Sequence, residues 1–587
     1  MTPVFYLFAL TGINIVLKRH LPRIALRPAE LVVIYVMLVI SCTIATHDFI
    51  VNLMSTLAWP AYYASPENRW DTQVLPHFAR WLYVWDKELI RGYFQGNSSI
   101  HSLDVLKMWL APLAFWSVFI FSLGWMMLCM TVILRKAWTE EVKLSFPIVR
   151  LPLAMTSPDS EGFFRSRLMW VGFAAAFGLS IVNGLHLWFP NLPDLSTRAR
   201  PILFTQPPWT AIRDFYLTFY PFAIGLAFLV PLDVSFSCWF FYLFAKAQAV
   251  MGYALGYGNV PNMPFVMEQG IGAWTTFGVI LLYATRRHLA VVFRIALSKQ
   301  KGEDAGEPLP YRVAFWGLIA GMSVFFGFWW AAGMSPVWVL VVLCLYLLLS
   351  ICITRVRAEA GGQHTVWDLE PMNVFRLFDS RWLGPANIVA AAMHHWYWRL
   401  NRSHIMPSQM EAFKLAGEHR IALRSMALPV AAALVAATFF GMWACLHVFY
   451  GEGALAKCQG FAQWTNIEMS LWIDSGINIG FKPEAGRWLA VGLAAGFVCL
   501  LTWLRSLFVW FPFHPLGYCI GPGLIWLWFP FLIAWAIKLA ILRYGGFSLY
   551  RQALPFFLGL VLGDYVSGAM WSLVGLVFKV PAYQIFH

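Results

Sequence analysis

The chain has 587 residues, of which 60% are hydrophobic and 12% charged, and its mean hydropathy is +0.63. Those values exclude an ordinary soluble domain and point to a multi-pass membrane protein. The formal charge of +13, from 42 Lys and Arg against 29 Asp and Glu, would suit a nucleic-acid partner, but no nucleic-acid motif is present and the bases gather in loops between apolar runs, as the positive-inside rule expects of cytoplasmic loops.

The first apolar run, residues 3–17, carries Asn14 and is short for a span. No basic leader or small-residue cleavage site accompanies it, so it reads as a retained segment. Lys18, Arg19, Arg23 and Arg27 place the next loop on the cytoplasmic side. Pro28-Ala29-Glu30 then opens a helix over 31–45, with proline in the first turn and an acid at the positive dipole end. Residues 47–108 mix Trp and Tyr with acids and bases in near balance and read as an external segment lying at the interface. Helices are expected over 109–134 and 169–189, separated by a loop carrying Arg135, Lys136, Lys143, Arg150, Arg165 and Arg167.

Residues 215–250 are too long for one span and are broken at Pro231-Leu232-Asp233, so two helices joined by a tight turn are expected, the second ending near Lys246. An acid beside a proline at membrane depth has two readings: a substrate or ion residue, or the cap of a helix beginning at Val234. The next stretch, 251–272, is rich in Gly and Pro and contains Glu268 and Gln269 but no Lys or Arg. It is either an external loop or irregular backbone lining a cavity.

Runs at 313–332 and 337–354 form a hairpin that leads into Arg355-Val356-Arg357-Ala358-Glu359-Ala360-Gly361-Gly362-Gln363-His364. On a helix Arg355 and Glu359 share a face and can pair, and the glycines end the helix. Either this is a capped helix end or its charges serve a site. Residues 355–425 are basic and read as cytoplasmic helices at or beside the membrane. Within them His394, His395 and His404 do not suit a metal, because adjacent histidines diverge on a helix and no carboxylate or cysteine sits at ligand spacing. Ser408 and Glu411 after Pro407 have capping-box spacing.

Helices over 426–450 and 488–510 flank an external stretch, 451–487. Residues 511–523, with His514, three prolines and three glycines, are a turn or a re-entrant loop. Helix alternation puts Lys538, Arg543 and Arg551 outside while their charge puts them inside, a conflict that calls for a broken element before them. The last helix, 554–577, carries Gly559, Gly563 and Asp564. Small residues four apart allow close packing around the acid, and Phe315 to Gly321 repeats the phrase weakly.

The expected fold is therefore an all-α polytopic bundle of about twelve or thirteen transmembrane helices with broken or re-entrant segments, comprising a main region, 1–510, and a C-terminal membrane module, 511–587. Sparse ionisable or polar groups at the breaks, Asp233, Lys246, Glu268, Gln269, Arg355, Arg357, Glu359 and Asp564, are the substrate- or ion-binding candidates, as in secondary transporters. With no Walker, H-E-x-x-H or G-x-S-x-G motif, no catalytic residue, metal site or cofactor is expected, and the chain does not read as an enzyme.

Several phrases carry a resemblance: Pro28 to Tyr35, Arg355 to Gly361, Met406 to Lys414, Phe513-His514-Pro515-Leu516-Gly517-Tyr518, Lys538 to Arg551, and Pro555 to Asp564. Together they resemble a family of uncharacterised bacterial membrane proteins that is similar to the oligopeptide transporter superfamily. The resemblance implies a multi-pass protein of the bacterial inner membrane. With the charged breaks, it leads to an expected secondary transporter of a small peptide-like or chelate solute, proton-coupled. The alternative is a structural or scaffolding subunit presenting 47–108 and 355–425 to partners. Expected partners are the lipid bilayer, an unidentified small solute, and a second copy or other chains of a membrane complex, with no nucleic acid.

Overall fold

The computed structural model describes residues 2–586 except 158–159, 196, 299–303, 362–367, 400–402 and 459–460, so Gly362, Gln363 and His364 of the 355–364 motif lie outside the described residues. Helices are numbered in chain order: α1 Thr2–His20, α2 Pro28–Ile44, α3 Asn52–Tyr63, α4 Leu103–Lys136, α5 Arg167–Trp188, α6 Pro221–Leu229, α7 Leu232–Ala254, α8 Val266–Ala284 and α9 Tyr311–Ala331. The second half supplies α10 Pro336–Ala360, α11 Ser380–Met393, α12 His395–Trp398, α13 Ile405–Glu418, α14 Leu423–Glu452, α15 Phe461–Asp474, α16 Ala485–Leu507, α17 Pro515–Ile520 and α18 Trp528–Phe578. The described strands are one short antiparallel pair, Arg200–Pro201 with Tyr216–Leu217.

Among the described residues, nine helical segments are long and apolar enough to cross a membrane. The chain is an all-α polytopic bundle and a multi-pass membrane protein. The expected spans that are not among the nine are α1, α6 and α8, which fall short in length or composition, and the second arm of α18, which runs on from the first. That helix reverses at Gly546 (φ 61, ψ −161), a backbone conformation only glycine adopts freely.

One face of the bundle gathers the basic loops and the C-terminal ends of α4, α10 and α13. There the Phe146 N–H donates to Ala358 O (2.8 Å) and Thr156 meets His419 (2.9 Å). At the opposite face Trp109 of α4 bonds Tyr450 of α14 (2.9 Å), and Trp188 of α5 bonds Pro581 O in the C-terminal tail (3.0 Å). Glycines set the tightest seam. A Cβ on Gly172 of α5 would lie 2.1 Å from Phe556 O, and one on Gly559 of α18 would lie 2.1 Å from Met169 O, so only these small residues let α5 and α18 touch backbone to backbone.

Two expectations about placement are corrected. Residues 47–61 of the segment 47–108 do not lie at an interface: α2 breaks at Ala45–Thr46, a π-turn follows, and α3 is buried from Asn52 to Ala61. Two of its polar side chains find partners inside, Asn52 in Thr465 (3.0 Å) and Trp59 in Ser470 (2.8 Å), so their polarity did not mark a surface. Within 355–425, the described residues 383–398 and 403–416 are packed into the bundle. Trp396, Trp398, Met406 and Phe413 are fully buried at its centre, and the basic side chains Arg357 and Arg399 are paired with Glu411 and Glu468. The capping-box spacing also fails: α13 starts earlier, at Ile405, Ser408 meets Thr43 (3.0 Å), and Glu411 is taken by Arg357.

The broken element called for before Lys538, Arg543 and Arg551 is present at 508–527. From His514, whose N–H donates to Ser237 Oγ (2.7 Å), the chain follows α7, with Gly517 against Ser237 and Gly521 against Phe241, and comes to the segment before α6, where Trp526 O accepts from Thr218 (2.6 Å). Six residues of α-helix and a 3-10 turn are all the regular structure in this stretch. Apolar length alone therefore does not count it as a span.

Candidate functional site

The feature that collects half of the candidate residues is the α6–α7 hairpin. Pro221 starts α6, and after nine residues Val230-Pro231 ends it because proline supplies no N–H and clashes with a continuing helix. α7 then runs back to the loop it came from: Tyr242 donates to Asp214 O (2.9 Å) and Lys246 to Arg213 O (2.6 Å). The hairpin thus packs α7 back along the chain that leads into α6, with its tip at Pro231.

Both ends of the short helix α6 are buried, where its unpaired N–H and C=O groups have no water. The protein satisfies them with charge. Asp564 Oδ2 accepts the Phe222 N–H (3.0 Å) at the N-terminus, and Lys538 Nζ donates to Phe228 O (3.1 Å) and Val230 O (2.7 Å) at the C-terminus. An acid at the positive end and a base at the negative end both match the helix dipole. The two caps come from opposite arms of α18. Its second arm covers the Phe228 ring, with Phe557 stacked on it at 3.6 Å and Tyr550 5.3 Å away, and Lys538 of the first arm lies 5.8 Å from the ring. Losing the cap in Asp564→Ala is expected to cost about 1 kcal/mol, with Asp564→Asn keeping most of it; thermal unfolding in detergent checks this.

Beyond the tip, Asp233 Oδ2 pairs with Arg505 Nη2 of α16 (2.6 Å). Ser237 Oγ ties the turn, donating to Asp233 O (2.7 Å). His514 Nδ1 accepts the Leu516 N–H (3.1 Å), which starts α17 and leaves the proton on Nε2. That Nε2 faces Glu359 Oε2 at 4.0 Å, and Glu359 also pairs with Arg355 one turn earlier on α10. Glu359 Oε2 and Arg355 Nε are buried and have no hydrogen-bond partner. Gly361 (φ 59) closes the helix, its N–H donating to Arg357 O (3.1 Å). The motif is therefore a capped helix end with an ion pair, and it is also one wall of this network.

Three of the eight sequence candidates, Asp233, Arg355 and Glu359, are gathered around His514 at the tip, and a fourth, Asp564, holds the opposite end of α6. Arg357 points elsewhere and forms a buried bidentate pair with Glu411 (2.6 and 2.8 Å) beside a crevice lined by Tyr35, Ser408 and Leu415. Gln269 accepts from Tyr518 of α17 (2.9 Å) and donates to Pro264 O (2.8 Å). Glu268 faces Arg487 at 3.6 Å, and Lys246 serves the outer loop; neither reaches the tip.

Sequence reasoning missed Lys538, Arg505 and His514 as partners. The signal for Lys538 was present: it stands alone in the apolar run from Trp528 to Leu542, where a base requires a buried acceptor. Also missed was a cluster of Glu370, His395, Arg399 and Glu468; its members lie far apart in sequence. His394 and His395 do diverge, as their adjacency predicts. His394 bonds Tyr397, whereas His395 lies between two carboxylates.

The arrangement defines a multi-pass membrane protein with a short broken-helix hairpin whose ends are held by buried charges. The chain belongs to a family of unknown function, DUF6785, whose model matches residues 1–587. No curated protein matches it.

Proposed function

We propose that the protein is a secondary transporter of a small peptide-like or chelate solute, coupled to protons, in the bacterial inner membrane. The observation that carries this reading is the α6–α7 hairpin, whose tip acid Asp233 pairs with Arg505 next to His514 and Glu359. Irregular backbone inside a membrane persists where protein encloses it, and transporters use such breaks to bind solutes and ions and to move one bundle against another. The Asp233–Arg505 pair ties α7 to α16, and it has to open if the hairpin is to move away from α16. The resemblance to the oligopeptide transporter superfamily supports the same class and suggests the solute.

The test is uptake into proteoliposomes. A pH gradient is expected to drive accumulation of at least one peptide or metal chelate, and Asp233→Asn to reduce the rate at least tenfold without loss of folded protein. Absence of gradient-driven uptake across a broad peptide and chelate panel would sink the reading. The alternative of a scaffolding subunit relied on 47–108 and 355–425 as partner surfaces; the aromatic residues Trp59, Trp70, Tyr83, Tyr93, Trp396 and Trp398 are buried inside the bundle, and no observation favours it.

A further inference from the structure

We infer that His395 is a proton-binding site, loaded through Glu468 and anchored by Glu370. The site is separate from the hairpin and rests on the transporter reading only for the use made of the proton. His395 stands on α12, where two elements distant in sequence close on its ring. Nδ1 faces the carboxylate of Glu370, and Nε2 lies 3.1 Å from Glu468 Oε2 on α15. Arg399, one turn beyond, donates to Glu468 through Nε (2.5 Å) and Nη2 (3.2 Å).

Access is unequal on the two sides. The Glu370 side chain is 6% exposed and that of His395 also 6%, whereas Glu468 is 37% exposed. Glu468 is therefore the end of the cluster open to the protein surface, and Glu370 is the closed end. A buried carboxylate against Nδ1 keeps a proton on that nitrogen whether the ring is neutral or charged, so Nε2 is the atom that gains and loses one. Loading then runs in one direction. A proton from water bonds to Glu468 Oε2; that O–H bond breaks as an N–H bond forms at Nε2; the imidazole becomes imidazolium and Glu468 returns to carboxylate. The charge of the four groups rises from −1 to zero. Arg399 holds Glu468 ionised, which makes this carboxylate a conductor of the proton and leaves storage to the ring.

The other charged groups on elements packed against α12 are occupied. His47 and Asp48 of the π-turn pair with each other at 2.6 Å, and Arg381 pairs with Asp379 at the start of α11 (3.1 Å). Arg376 stands electrostatically beyond Glu370. Deprotonation has a mechanical result: a bare Nε2 facing a carboxylate oxygen repels it, so α15 keeps its tether to Arg399 and loses the one to His395.

The experiment is nitrogen NMR of histidine-labelled full-length protein in lipid nanodiscs, with the His395 signal identified by subtracting His395→Gln. The ring is expected to carry both protons at neutral pH and to lose one as pH rises. Glu468→Gln is expected to lower the midpoint by about one unit, a tenfold weaker proton affinity, and Glu468→Asp to restore it, with thermal unfolding confirming that each variant is folded. A His395 ring that stays neutral throughout, or a midpoint unchanged in Glu468→Gln, overturns the assignment. Titration as expected in a protein that shows no uptake would leave the proton site standing and remove the transporter reading. Uptake by a protein whose His395 does not titrate would do the reverse.

Discussion

Arg357→Met is expected to destabilise the protein by about 3–5 kcal/mol, and the double replacement with Glu411→Met to recover most of that loss. The guanidinium meets both carboxylate oxygens, at 2.6 and 2.8 Å, and both side chains are more than nine-tenths buried. Taking either partner away strands a full charge among Tyr35, Ser408 and Leu415, with a crevice of only about 10 Å³ to admit water. Removing both leaves apolar side chains of similar volume and no stranded charge. Denaturant-induced unfolding in detergent of the two single variants and the double gives the coupling energy directly. Single losses below 1 kcal/mol, or a double variant worse than either single one, would show that the pair is not closed to water.

The second large effect is expected at Lys538. Lys538→Met keeps the length and apolar character of the side chain but orphans Phe228 O and Val230 O at the hairpin tip. Hydrogen bonds to a charged donor contribute about 1.5–3 kcal/mol, and a buried acceptor left alone costs a similar amount, so a loss of about 2–3 kcal/mol is expected. This loss has a location. A cysteine placed at Val230 is expected to react with a water-soluble maleimide at least tenfold faster in the Lys538→Met background, while one placed at Ala433 in α14 is unchanged. Equal labelling in both backgrounds would mean that Lys538 does not hold the tip.

Much of the fold was legible in the chain. Apolar length located the spans. Glu30 at the start of α2 accepts the Arg27 N–H at 2.7 Å, as an acid in the first turn should. Pro231 marked the hairpin turn, and the Arg355–Glu359 spacing gave the pair that forms. The misplacements share one physical cause. Sequence polarity was taken as a sign of water, but Asn52, Glu370, His395, Arg399 and Glu411 find their partners in other segments of the chain, up to 413 positions away for Asn52 and Thr465. No local window contains such a pairing. The same holds for the site: Asp233 and Asp564 were recognisable as acids out of place, whereas that one caps the helix leading into the turn occupied by the other is a property of the packed bundle.

The caps of α6 also order events during synthesis. Val230 O waits for Lys538 and the Phe222 N–H for Asp564, residues that leave the ribosome some 300 to 340 positions later, about 15–70 s at ordinary elongation rates. Through that interval the hairpin has polar ends and no protein partner for them, in a solvent that offers none. It either stays near the membrane surface or is shielded by the insertion machinery, and it is seated only when the two arms of α18 close around Phe228. The last tenth of the chain is in this sense the part that completes the middle, and a nascent protein stopped short of it has inserted helices but no finished hairpin.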